Sequence, residues 1–232
     1  MNNVHYVEKD QLFPIALSKL ESINTLLDIG CGVRPQQYVE PKVHICCEPF
    51  QQYVEHLQRE IENDRSDREY VVLKATWAEA MKLFPDRSVD SIFLLDVVEH
   101  LEKQESLDLI NQSLRKIKKQ IAIFTPLGFL PQSHPDGKDG WGLDGGAWQE
   151  HKSGWQPEDF DESWEIYVAK VFHTIDGMGK AFDTPYGALW AIKTISAEDR
   201  KNTPPRELKK IKRSKRQMVH RMVDKALDLF TK

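Results

Sequence analysis

Leu26-Leu27-Asp28-Ile29-Gly30-Cys31-Gly32 decides the fold. The apolar run from Ile23 to Ile29 carries a single acid, Asp28, and reads as a buried strand. Gly30 and Gly32 stop it. Glycine at such a point allows positive φ and lets a ligand come close to the backbone. The amides that follow can bind a carboxylate or a phosphate. Twenty residues after Asp28, Glu48 closes a second strand, Val43–Glu48. A carboxylate there can accept hydrogen bonds from both hydroxyls of a ribose.

The neighbouring sequence repeats the alternation of strand and helix. Residues 11–22 and 51–62 carry apolar side chains at helical spacing. Tyr70–Leu73 reads as a third strand, Ala78–Leu83 as a short helix and Val89–Leu95 as a fourth strand. Residues 103–119 predict a long helix, and Ile121–Phe124 a fifth strand ended by Thr125-Pro126. Connections this long do not suit hairpins, so the pattern predicts a doubly wound α/β sheet, mostly parallel, with helices on both faces. Two further strands, Trp164–Phe172 and Ala188–Ile195, should close it as an antiparallel pair, with one antiparallel strand at the edge. Ligand groups belong at the carboxyl ends of the parallel strands, where strand order reverses.

Between the fifth strand and the closing pair lies an aperiodic, glycine-rich stretch, residues 127–160. Irregular segments this long are usually functional or mobile. Trp141, Trp148 and Trp155 recur in it every seven residues, but the glycines argue against a helix. Such a segment suits a substrate lid; the tryptophans could equally fasten it to the body. Ser153–Phe160 resembles a helix start, with Pro157 in the first turn.

The chain has 232 residues, 29% of them charged, and a net charge of −4. Residues 200–232 hold 12 Lys and Arg against 3 acids, so residues 1–199 balance at −13. An acidic body excludes wrapping of nucleic acid. Residues 198–232 predict a basic amphipathic helix, its apolar positions lying between Leu208 and Phe230. It would dock on the acidic body, form a homodimer, or touch an anionic membrane. No apolar run approaches the roughly 18 residues that cross a bilayer, and the N-terminal residues lack a signal core. Three cysteines, two of them adjacent, exclude a disulfide scaffold and a four-thiolate zinc site. The expected compartment is the cytoplasm.

The first motif resembles that of the class I S-adenosylmethionine (SAM) dependent methyltransferases. So do Phe84–Ile92 before the fourth strand, Asp96-Val97-Val98-Glu99-His100-Leu101 after it, and Phe124-Thr125-Pro126. The Ser153–Phe160 stretch is similar to segments of bacterial polysaccharide-cluster members, and the whole to the UbiE-like, type 11 group. The resemblance covers about residues 20–195. It implies a Rossmann-like sheet of seven strands within a domain of residues 1–197, and SAM as cofactor. Asp28, Gly30, Cys31 and Gly32 would cradle its methionine part, with Arg34 on the carboxylate. Glu48 would hold the ribose, Thr76 and Trp77 would meet the adenine, and Asp96 would line the pocket near the sulfonium.

A related Glu-x-x-Glu-His array binds a divalent metal in ubiquinone-type O-methyltransferases. Asp96, Glu99 and His100 share a face here, but the motif also occurs without metal, and no metal is expected. His44 and His173 read as packing residues within strands. His151, on the lid, is the expected catalytic base, with Asp136, Asp139 or Asp144 as substitutes. The expected reaction moves a methyl group onto a small-molecule or glycan acceptor, at a hydroxyl oxygen. Two alternatives are a non-catalytic SAM-binding scaffold and an NAD-dependent oxidoreductase. Against the latter, the third glycine position of the dinucleotide fingerprint holds Pro35.

Overall fold

The computed structural model describes residues 3–176, 179–196 and 198. The expected C-terminal helix and the 197/198 boundary fall outside them. Eight strands form one sheet: β1 (Asn3–Tyr6), β2 (Thr25–Ile29), β3 (Val43–Cys47), β4 (Glu69–Leu73), β5 (Val89–Leu95), β6 (Ile117–Leu127), β7 (Glu165–Ile175) and β8 (Ala181–Thr194). Their order is β1-β7-β8-β6-β5-β2-β3-β4. All neighbours pair parallel except β8, which runs antiparallel to both β6 and β7.

The α/β sheet is therefore the expected one, with two corrections. An eighth strand, β1, lies outside β7, so the count is not seven. The antiparallel strand β8 consequently sits third from that rim rather than on it. From β2 the chain steps outward to β3 and β4, then returns to the other side of β2 as β5. Strand order reverses between β2 and β5, which is where the carboxyl ends part to leave a crevice.

Because successive side chains of a strand point to opposite faces, each strand feeds two cores. Leu27 and Ile29 pack with Ile92, Leu94, Ile121 and Ile123 on one face. That face is covered by α3 (Trp77–Leu83) and α4 (Lys103–Lys116) through Ala80, Met81, Leu109 and Ile110. Leu26, Phe93, Ala122 and Trp190 face the other way, under α1 (Lys9–Leu17) and its Leu12 and Ala16. Between β3 and β4 the chain forms α2 (Gln51–Asn63), which buries Tyr53, Val54 and Leu57.

The long helix ends at Lys116, three residues before its expected limit. Ile117 already pairs with Val89 in β6. Lys116 is buried, and its ammonium meets Asp86 Oδ1 at 2.6 Å. No helix among the described residues is long and apolar enough to cross a membrane.

Candidate functional site

A cleft of about 1270 Å³ opens at the carboxyl ends of β2, β5 and β6. Its floor is Asp28 and the loop Gly30–Gln37. One wall is Leu95, Asp96, Glu99 and His100; another is the segment from Leu130 to His151. The outer end of the β7–β8 pair closes it with His173, Ile175 and Phe182.

The floor is built around two glycines in the left-handed region, Gly30 at φ +66° and Gly32 at φ +64°. A Cβ on Gly30 would stand 2.8 Å from Val97 Cγ2, so this turn and the β5 end fit together only without a side chain. Asp28 is 2% exposed. Its Oδ2 accepts from the Gln36 amide at 3.3 Å and pairs with His44 Nε2 at 3.0 Å. Burial alone would push the His44 imidazole down, but its hydrogen bonds with Asp28 and Cys46 lift it to about 9. The ring stacks on Tyr70 at 5.4 Å. His44, expected only to pack, is thus the positioning partner of Asp28. The register brings them together: Asp28 lies opposite Cys46, and His44, two residues before Cys46, projects from the same face of β3. Cys31 also lines the cleft. Its thiol is pushed well up by its hydrogen bond with Cys46 and by burial.

Glu48 sits behind the glycine loop and is 4% exposed. Its two oxygens accept from the amides of Gly32 at 3.0 Å and Phe50 at 2.9 Å. Burial nevertheless raises its carboxyl to about 7, against those two bonds. Glu48 does not reach the cleft wall. Nor do Thr76 and Trp77. The Thr76 hydroxyl caps α3 in a reciprocal box with Glu79, and the Trp77 indole N–H donates to Glu105 Oε1 at 2.9 Å. Of the expected site residues, the cleft therefore gathers Asp28, Gly30, Cys31, Gly32, Arg34, Asp96 and His151.

Asp96 ends β5 in the left-handed region at φ 52°, a strained position for a residue with a side chain. Its amide donates to Phe124 O at 2.9 Å, which holds the turn against β6. Asp96 is open to the cleft, and desolvation by the protein packed around it raises its carboxyl above the ordinary carboxylate range. Burial and the Asp96 charge together raise Glu99 further. Glu99 Oε2 accepts from the Thr125 hydroxyl at 3.0 Å.

The turn Val98–His100 also anchors the irregular segment. Glu99 O accepts from the amides of Lys152 at 2.7 Å and Ser153 at 3.1 Å, and Ser153 Oγ donates to Val98 O. This brings His151 beside His100, ring centroids 4.9 Å apart. Both imidazoles are pushed down, His100 to about 4, chiefly by burial. Both are therefore neutral at pH 7.

The three tryptophans differ in burial. Trp155 is fully buried in the core and lies under the Lys103 ammonium, 3.5 Å from its ring centre. It fastens the segment. Trp141 and Trp148 are about half exposed; Trp141 lies over Gly32 and edge-on to Tyr53. The segment contains no α-helix, only single turns at Gly146–Trp148 and Pro157–Asp159, the latter where a helix start was expected. His134 and His173 also face the cleft, and no local motif marks them, because they come from segments about forty residues apart.

No protein-family model and no curated protein matches the chain. Among solved structures it is similar to the cyclopropane synthase MmaA2 of Mycobacterium tuberculosis (22% identity, TM-score 0.40). That match covers 51% of this chain and 42% of that one, so the chain spans about two fifths of the synthase's length. It is also similar to a magnesium protoporphyrin IX methyltransferase of Synechocystis with bound SAM (12%, TM-score 0.46, 79% and 77% covered). A SAM-dependent methyltransferase of Archaeoglobus fulgidus has 16% identity and a TM-score of 0.46, with 80% and 92% covered.

Proposed function

We propose that the chain is a SAM-dependent methyltransferase acting on a hydroxyl oxygen of a small-molecule or glycan acceptor. One observation carries this reading. Asp28 with its two left-handed glycines, and the strained Asp96, stand on either side of the β2/β5 switch point and line a single cleft. The floor suits the amino-acid end of SAM. It offers a fixed carboxylate for an ammonium, side-chain-free backbone, and Arg34 for a carboxylate. Glu48 would serve the ribose once the segment over α2 moves aside.

SAM supplies an electrophilic methyl on a sulfonium. The chain's task is to align the acceptor behind that carbon and to keep water out. Asp96 faces the cleft with a carboxylate that favours a cation nearby. Trp141, which lines the cleft, offers a flat apolar face to an acceptor. His151 holds a neutral imidazole on the lid, and its Nε2 lone pair is the proton acceptor we assign for the hydroxyl.

Calorimetry with S-adenosylhomocysteine (SAH), SAM and NAD tests the reading. SAH and SAM should bind, and Asp28→Asn should weaken both at least about tenfold, the scale of a charged hydrogen bond. Binding of NAD in place of both would overturn the proposal. Transfer of a labelled methyl group to a panel of hydroxyl acceptors then separates an enzyme from a scaffold that only binds SAM.

A further inference from the structure

We infer that Glu99, His100 and His151 form a site for a divalent first-row transition-metal ion at the wall of the cleft. Three ligand atoms, one from each residue, lie within 4.8 Å of one another. With bonds of about 2.1 Å, ligand atoms gathered on one side of an ion stand about 3.0–3.4 Å apart, so the set must draw in by up to about 1.8 Å as the ion binds. Two imidazoles and one carboxylate on one side of an ion, with the other side open, is a donor set that suits Mn²⁺, Fe²⁺, Co²⁺ or Zn²⁺ better than Mg²⁺.

Hydrogen bonds around the ligands orient them for this. The Nδ1 of His100 donates to Glu150 O at 3.2 Å, and the Nδ1 of His151 donates to Leu130 O at 2.6 Å. A carbonyl can only accept, so each ring carries its proton on Nδ1 and keeps its lone pair on Nε2. Outer-shell carbonyls fix metal-binding histidines in this way. Glu99 is 2% exposed; Thr125 holds one of its oxygens, and the other, Oε1, is buried without a hydrogen-bond partner. An orphaned carboxylate oxygen beside two imidazoles needs a cation or a water. The third ligand comes from the lid, fixed there by the Lys152 and Ser153 amides on Glu99 O. An ion would thus tie lid to body. The open positions face the cleft, where an acceptor oxygen would sit, and that last step rests on the methyltransferase reading. Binding the ion takes the His151 lone pair, so ligand and base are alternative uses of that residue.

The test is titration of the metal-free full chain with Co²⁺ alone, followed by its visible d–d absorption, with Zn²⁺ competition. One equivalent should bind and give a low-coordination spectrum. His151→Gln and Glu99→Gln should each weaken binding about 100-fold or more. His5→Gln, far from the site on β1, should not change it. SAH binding is measured on the same samples. If it persists in His151→Gln, the cleft is folded there, and that variant decides the matter even if Glu99→Gln does not fold. No binding below millimolar Co²⁺, or binding unchanged in His151→Gln, overturns the inference. Loss of SAH binding in the unmodified chain sinks the methyltransferase reading instead and leaves the ion site standing.

Discussion

Asp28 shows how one residue can be both legible and incomplete in a sequence. Its place before two glycines marked it, because that chemistry is local. The partner that orients it is not local, since His44 arrives from the neighbouring strand with a 3.0 Å contact. His44 is fully buried, and the fold lifts it from its ordinary 6.5 to about 9. The folded chain therefore holds this proton more tightly than the unfolded one. The resulting stability is whole below about pH 6.5 and is lost as pH rises through about 9, with an upper limit of about 3 kcal/mol. Urea unfolding at pH 6 and pH 9.5 checks it. The gap between the chain and its His44→Gln variant should narrow by about 1–3 kcal/mol at the higher pH. An unchanged gap means the pair is not ionised. Thr76 and Trp77 show how one sequence feature can serve two purposes. A threonine three residues before Glu79 is also a helix cap, and here the cap took it.

At the level of elements, strands were easier to place than the boundaries between them. The α4–β6 junction was missed because Ile117-Lys118-Lys119 continues the helical spacing. The strand pairing of Ile117 with Val89, a contact across the sheet, overrides it. The lid was legible as a segment but not as a structure, because its contacts span up to about ninety residues. Tyr53 donates to Asp139 Oδ2 at 2.6 Å, while Asp139 Oδ1 accepts from the amides of Trp141 at 2.8 Å and Leu143 at 2.9 Å. Asp139 is 7% exposed, and these hydrogen bonds make it the organiser of the turn. Asp139→Ala leaves those donors without partners, at about 1–3 kcal/mol for each one that stays buried. The expected result is local opening. Hydrogen exchange should accelerate over residues 136–146 about tenfold or more, while the Trp155 anchor keeps its protection. Uniform loss of protection across the sheet would show instead that this turn supports the whole fold.

For the whole molecule, the order of the inner strands follows from alternation and from where the apolar runs fall. The outer rim does not. β1 is four residues long with one partly buried position, too short for any period to show. It pairs with Glu165–Val168 of β7, stacks His5 on Tyr167 at 5.1 Å, and receives Lys170 over the Tyr6 ring. Its energetic share is small because most of its surface stays in water. Its position matters more, since β7 is eleven residues long and would otherwise present its first half as an unpaired edge. Long bare edges recruit other chains, and short edge strands blunt them. Removing residues 1–7 should therefore cost only a few degrees in melting temperature, because the two cores take only Val4 and Val7 from the described part of that stretch, both partly buried. The same truncation should make the protein associate as concentration rises, by pairing of β7 with β7. Light scattering after size exclusion, from micromolar to about 100 µM, reads this directly. A truncated chain that stays monomeric at every concentration would show that the β7 edge is protected by something other than β1.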